Sequence, residues 1–425
     1  MSSEFKQVLT KEGYPWDFEE ADTPLMLLAE GNERASRQLA QACAEQAPPI
    51  QRSEVFALDV ESKALAQYQL VVGEQLFGPV DRLSADDLEA LWALAAPSPF
   101  GEGDETKYDE SVRLAKELPL AGAAGAAAAG AACAELRNLR GQSLAAELAR
   151  APPPELKRWL RTAKLSDHDD HIVLKPYKLV LYRAGGFFRA HRDTVRGAEH
   201  LGTLLVALPT PHTGGALRLG DQSVQLGAWQ GVAFLTDLEH ELARVESGLR
   251  AVLSLEVHVV AEPQHSLRDP SRSVGDALSG DPRAVAAAIE PLLARCGCAA
   301  IALRHLYSAA EAEAALSSAG ARLRGADRDL GALLGAAGYR FLLLPLIHMR
   351  LWTQRGEWSW AVVPLRFRER CAERGRALPR GKAPLLLIGG TEHTQLLAAT
   401  RGYLGNSAEV GEFAHQFAGL LVERA

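Results

Sequence analysis

Cysteine is scarce in this sequence. Cys43, Cys133, Cys296, Cys298 and Cys371 are the only five in 425 residues, an odd number with no paired zinc-type spacing. That excludes a disulfide framework and a cysteine-held structural zinc, and a reducing compartment is expected. Cys296 and Cys298, one residue apart, read as two small buried thiols and not as a redox pair. A surplus of positive charge is missing too. The net charge is −7 with 12 histidines taken as neutral, so nothing draws the chain as a whole to a phosphate backbone, and nucleic acid is disfavoured as a partner. Long apolar runs are absent as well. The opening residues are polar and acidic with no signal-like segment, and the stretch Ala121 to Ala132 is too short and too small-chained to span a bilayer. The cytoplasm is the expected location, with no membrane partner. No repeat of fixed period runs through the chain, which sets aside solenoids and propellers.

With 47% hydrophobic and 23% charged residues, the composition is that of a globular protein. Its length exceeds what one core usually supports, so three regions are expected: a mixed, partly helical N-terminal region over 1–150, a β-rich domain over 151–262, and a smaller C-terminal α/β region over 263–425. Helical patterning runs from Thr23 to Gln46. Ser84 followed by Asp87 gives a capping-type start to a helix ending near Ala96. Ala145 to Thr162 is helical in pattern but broken by Pro152, Pro153 and Pro154.

From Ile172 to Val260 the texture changes to short β-branched and leucine-rich runs between Gly, Pro, Asp and Thr turns. Candidate strands are Ile172 to Arg183, Phe187 to His191, Thr203 to Leu208, Gly215 to Leu219, Ser223 to Leu226, Gly231 to Thr236 and Leu249 to Val260. Their number and length suit an eight-stranded jelly roll, making the fold class α+β around a double-stranded β-helix. Ala261 to Asp281 reads as a linker. Beyond it, strand-like runs at Ala299 to Leu303, Phe341 to Leu346, Trp360 to Pro364 and Pro384 to Ile388 alternate with a helical run at Ala309 to Ser317.

Within the β-rich segment, His191 and Asp193 stand two apart at the end of a predicted strand, a spacing that lets both reach one ion. Two histidines and one carboxylate suit iron(II) and leave positions open for chemistry, so a third ligand is required. His240, between two predicted strands, is the best candidate. Arg250 follows ten residues later, a charge in the otherwise apolar run Leu249 to Leu255. A buried arginine needs an anion, and its planar fork can hold a carboxylate through two hydrogen bonds.

The set His191-Arg192-Asp193, His240 and Arg250 resembles the motif of the prolyl 4-hydroxylase-like branch of the 2-oxoglutarate- and iron(II)-dependent dioxygenases. The likeness extends to Tyr182-Arg183-Ala184-Gly185-Gly186-Phe187-Phe188 before the first ligand, to Gly202-Thr203-Leu204-Leu205-Val206-Ala207-Leu208-Pro209, and to His212-Thr213-Gly214-Gly215-Ala216-Leu217. It covers about 90 residues of the chain. The resemblance implies iron(II) held by His191, Asp193 and His240, 2-oxoglutarate held by Arg250 and hydrogen-bonded by Tyr182, and Thr203 lining its pocket. It also implies O2 as oxidant, release of succinate and CO2, and hydroxylation of a protein side chain or a small molecule. Phe188 stands where many prolyl hydroxylases carry a second tyrosine, a departure that bears on a peptidyl-proline substrate and leaves the ligands untouched.

Alone, a His-X-Asp triplet is usually a solvated strand end; here it stands with His240, Arg250 and Tyr182 in a β-rich frame. Asp167-His168-Asp169-Asp170-His171 reads as a hydrated turn. His200 and His212 read as turn or surface residues, and His348, His393 and His415 as structural. Trp352, Trp358 and Trp360 near Arg350 and Arg355 read as core, for want of a basic patch. Two other functions remain open: a catalytically inactive jelly-roll binding or scaffold protein, and a nucleic-acid demethylase of the same chemistry.

Overall fold

The structure is a computed structural model that describes residues 25–29, 31–44, 53–57, 68–102, 105–124, 132–166, 170–260, 280–307, 309–317, 323–353, 356–387, 395–404 and 407–425. It is mixed α and β, with eight α-helices and mainly antiparallel sheets among these residues. Two compact units are formed: residues 51–262, and residues 1–50 together with 263–425.

In the 51–262 unit an eight-stranded sheet runs in the order Ser53–Ala57, Gln230–Leu235, His200–Ala207, Val245–Val260, His171–Arg183, Lys116–Pro119, Ala96–Pro97, with His212–Gly214 paired to the other end of Val245–Val260. A five-stranded sheet runs Gln222–Val224, Leu217–Leu219, His240–Leu242, Phe187–His191, Arg113–Leu114. Side-chain alternation along the long strands explains the layering. On Val245–Val260, Leu249, Ala251, Leu253 and Leu255 join one buried cluster, while Val252 joins another. The first cluster lies under the helices Leu144–Arg150 and Pro154–Thr162 and a three-stranded sheet, through residues such as Leu144, Leu148, Leu156, Trp159 and Leu70. The second gathers Val180, Tyr182, Val232 and Phe234 of the large sheet with Phe188, Leu217 and Leu242 of the small one, so those faces pack together.

The expected three-part division does not follow these units. Strands Ser53–Ala57, Ala96–Pro97, Arg113–Leu114 and Lys116–Pro119 come from the stretch expected as a separate N-terminal region, yet each pairs within the two sheets. The physical reason is edge pairing: an exposed strand edge leaves backbone groups unpaired, and these short strands cover Gln230–Leu235, His171–Arg183 and Phe187–His191. The helix at Ala85–Leu94 starts as expected, with Ser84 and Asp87 forming a reciprocal capping box. Pro154 opens the helix Pro154–Thr162 at its first turn, where the missing N–H costs nothing.

The other unit holds a seven-stranded sheet in the order Cys298–Ala302, Lys382–Leu387, Met26–Leu28, Gly356–Val362, Tyr339–Thr353, Ser407–Arg424, Gln395–Leu404. Cys298–Ala302 also pairs with Ser407–Arg424, so six of these strands form a closed ring. The long helix expected over Thr23 to Gln46 is instead a strand and a shorter helix, Glu33–Ala44. Leu25 and Leu27 are buried at a two-residue spacing, Gly31 has φ of 74°, and Asn32 donates its side-chain amide to the Leu28 carbonyl, which breaks the helix there. Most of the linker expected over Ala261 to Asp281 lies outside the described residues, as do 125–131 of the alanine-rich stretch, 167–169 and His393. No helix among the described residues is long and apolar enough to cross a membrane.

Candidate active site

A cavity of about 490 Å³ opens in the 51–262 unit, with walls drawn from both sheets. His191, the last residue of Phe187–His191, is paired in register with His240, the first residue of the short strand His240–Leu242. That strand, absent from the sequence reading, is what aligns the two rings. Asp193 follows two residues past the strand end and accepts a hydrogen bond at Oδ2 from the Thr203 hydroxyl of the neighbouring sheet. Its other oxygen, Oδ1, lies 4.0 Å from Nε2 of His191 and 3.7 Å from Nε2 of His240.

Hydrogen-bond partners decide which lone pairs are available. Nδ1 of His191 lies 2.8 Å from the Arg189 carbonyl, and Nδ1 of His240 lies 3.0 Å from the Leu238 carbonyl. A carbonyl only accepts, so each Nδ1 carries a proton and each Nε2 is the ring atom that faces Asp193 Oδ1. Burial pushes the His191 imidazole down to about 3, with the charges of His240 and Arg113 acting the same way. Burial alone would raise Asp193; His240, His191, the Thr203 hydrogen bond and Lys178 outweigh it and hold the carboxyl at about 2. At neutral pH the His191 ring is therefore neutral and Asp193 ionised, as binding of a divalent metal requires. The three atoms form a group able to hold one ion.

Aromatic contacts brace the rings. The Phe188 ring stacks on His191 with centroids 3.5 Å apart, and Phe234 lies 4.5 Å from His240 in a tilted arrangement. Phe188 thus supports the His191 ring through its ring face, a role in which a hydroxyl is not needed.

Arg250 lies on the long strand Val245–Val260, opposite Tyr182 in register, with its guanidinium carbon 5.8 Å from the Tyr182 ring centre. The residue is 3% exposed, lines the cavity, and has no carboxylate partner among the described residues. Burial pushes it down to about 10, against the opposing influence of Tyr182, so it remains a cation at neutral pH. Gly215 makes room for it: a Cβ there would fall 2.9 Å from Arg250 Cδ. Thr203, expected to line a co-substrate pocket, does line the cavity, but its hydroxyl is committed to Asp193.

Sequence reasoning missed several wall residues. His200, expected at a turn or surface, is 2% exposed at the start of strand His200–Ala207. It stacks on His258, and His200, Glu256 and His258 form a second group of metal-capable atoms. Here the donors are already engaged. The Arg196 amide donates to His200 Nδ1, His258 Nε2 donates to Glu256 at 3.0 Å, and the Arg196 guanidinium donates to Glu256 Oε1 at 2.5 Å. Polar residues at even positions of the strand, Arg250, Ser254 and Glu256, were the available signal for this wall. Arg113 and Lys178 also line the cavity, and no local pattern pointed to Arg113.

No protein-family model matches the chain, and no curated protein does either. Solved structures similar to it are prolyl 4-hydroxylases and 2-oxoglutarate-iron(II) oxygenases. A prolyl-4-hydroxylase from Pseudomonas putida is 17% identical at a TM-score of 0.30, covering 52% of this chain and 98% of its own. An oxidoreductase of the 2OG-Fe(II) oxygenase family from Burkholderia pseudomallei is 11% identical at 0.27, covering 54% and 92%. A prolyl hydroxylase from Trichoplax adhaerens, solved with a hypoxia inducible factor peptide fragment, is 12% identical at 0.31, covering 54% and 91%. Likeness at this level carries no functional weight beside the geometry of the cavity.

Proposed function

We propose that the protein is an iron(II)- and 2-oxoglutarate-dependent dioxygenase built on a double-stranded β-helix, with iron held by His191, Asp193 and His240 and the co-substrate carboxylate held by Arg250. One observation carries the reading: a buried guanidinium with no carboxylate partner among the described residues faces the same cavity as three convergent, metal-capable donor atoms. An uncompensated buried cation is costly, and an anionic ligand removes the cost. A dicarboxylate that reaches from Arg250 toward the His-Asp-His group meets both needs at once. The donor set fits iron(II), two imidazole nitrogens and one carboxylate oxygen being the facial arrangement that leaves other positions open.

When bound, iron supplies the oxygen chemistry that converts 2-oxoglutarate and O2 to succinate and CO2 and places one oxygen atom on a C–H bond of the substrate. The chain's own residues do the rest. Arg250 fixes the far carboxylate through a two-point hydrogen bond, and Tyr182 presents its hydroxyl beside it. Thr203 holds Asp193 so that Oδ1 faces the two Nε2 atoms, and the Arg189 and Leu238 carbonyls lock both ring tautomers. Phe188, Phe234 and Val252 keep the surrounding wall apolar and limit water. The oxidised substrate is a protein side chain or a small molecule, and Phe188 in place of a tyrosine does not favour a peptidyl-proline.

A non-catalytic scaffold is not favoured, since it has no use for an unpaired Arg250. The test is anaerobic titration of the protein with iron(II) and 2-oxoglutarate. The weak visible charge-transfer band of the chelate is expected in the wild type and lost in Arg250→Ala. Its absence from well-folded wild-type protein would overturn the reading.

A further inference from the structure

Iron(II), Arg250, Asp193 and a doubly charged 2-oxoglutarate would balance one another, and the cavity wall holds further cations. Arg192 lies 3.6 Å from Glu239 and donates to the Asp237 carbonyl, and Arg196 is matched by Glu256 and also donates to the Tyr177 hydroxyl. Arg250 is reserved for the co-substrate. Two cations remain on the wall, Arg113 and Lys178, and among the described residues they share a single carboxylate, Glu117. Lys178 Nζ lies 2.9 Å from Glu117 Oε2, which also accepts from the Ser98 hydroxyl. The nearest Arg113 nitrogen is 3.9 Å from the same oxygen, beyond hydrogen-bond range.

Arg113 is the less satisfied of the two. Its side chain is 6% exposed, its Nη1 donates 2.6 Å to the Pro99 carbonyl, and its Nε is buried with no partner among the described residues. A guanidinium has five N–H donors, so most of this one's capacity is unused. Its carbon sits 4.3 Å from the centre of the Phe188 ring, the same ring that stacks on His191. The spare charge is therefore one aromatic ring away from the proposed metal, where a substrate carbon must be placed.

We propose that Arg113, with Lys178 beside it, receives the carboxylate of the primary substrate, so that the molecule oxidised is a small carboxylic acid carrying one negative charge. The inference rests on the proposed iron and 2-oxoglutarate site. Among the described residues two cations stand against one protein carboxylate, which leaves one positive charge to be met, and a cavity of about 490 Å³ that also houses the co-substrate has room for a small acid. Holding the substrate by its carboxylate also fixes which of its carbons faces the metal, which is the positioning such chemistry needs.

The experiment uses the full chain loaded anaerobically with iron(II) and 2-oxoglutarate, whose visible band reports that the proposed site is intact. A panel of short aliphatic monocarboxylates is then titrated in, each beside its primary amide, with band perturbation and calorimetry giving affinities. At least one acid is expected to bind at least about tenfold tighter than its amide. That preference is expected to vanish in Arg113→Gln and weaken in Lys178→Met, with 2-oxoglutarate affinity unchanged within about twofold. Arg113→Lys is expected to restore part of it. The retained band certifies folding of each variant. Equal binding of acids and amides, an acid preference that survives Arg113→Gln, or tighter binding of a peptide with an internal aspartate than of any free acid would each overturn the proposal. Failure of the band to form in the wild type instead removes the iron and 2-oxoglutarate reading beneath it.

Discussion

Two clusters in the same unit have the same composition, two histidines and one carboxylate, and opposite physical states. In His191, Asp193 and His240 every competing hydrogen bond is made by the atom facing away from the group, which leaves Nε2, Nε2 and Oδ1 turned toward one another. In His200, Glu256 and His258 the same kinds of atoms are spent on Arg196 and on each other. Residue type and proximity make both clusters metal-capable; the hydrogen bonds they already make separate the proposed ligand set from a structural network.

The largest effect that can test this contrast is loss of a free donor. Asp193→Ala is expected to weaken iron(II) binding by about a hundredfold or more and to abolish 2-oxoglutarate-dependent succinate formation, whereas Glu256→Gln leaves iron affinity within about threefold. Arg250→Met comes next. It is expected to reduce 2-oxoglutarate affinity by about tenfold to a hundredfold in equilibrium titration, while raising the melting temperature of the ligand-free protein, because an unpaired buried charge is replaced by an apolar chain of similar length. A fall in melting temperature would mean that Arg250 has a protein partner after all. Thr203→Val removes the hydrogen bond to Asp193 without touching a donor, and about a tenfold loss of iron affinity is expected.

The smallest effect falls on the second cluster. Burial raises Glu256, but hydrogen bonds from His258 and Arg196 outweigh it and bring the carboxyl from 4.5 down to about 2. A depressed carboxyl contributes stability that is present above its unfolded value and is lost as pH falls toward its folded one. The stability gap between wild type and Glu256→Gln, about 1–2 kcal/mol at neutral pH, is thus expected to close between pH 4.5 and 2 in acid denaturation. A gap that stays constant through that window would assign the cluster no electrostatic role.

Much of this site is legible in the chain because its key residues belong to short local patterns. The triplet at 191–193 and the strand Phe187–His191 follow from spacing and residue texture alone. What was not legible depends on pairing between distant segments. The three-residue strand His240–Leu242 is too short to show a period, yet its register with Phe187–His191 sets the His191–His240 contact. Arg113 sits in a two-residue strand, Arg113–Leu114, whose place is fixed only by pairing with Phe187 and Phe188. The helix expected from Thr23 failed for a local reason, the Gly31-Asn32 break, and the C-terminal strands Gln395–Leu404 and Ser407–Arg424 were passed over because their alanine- and glycine-containing runs carry little β signal.

The most direct measurement is the stoichiometry of iron(II) bound under anaerobic conditions by wild type, Asp193→Ala and Glu256→Gln, each checked for folding by circular dichroism. One ion per chain in the wild type, kept in Glu256→Gln and lost in Asp193→Ala, is the predicted result. Two ions per chain, or one ion lost on changing Glu256 and kept on changing Asp193, would contradict the account.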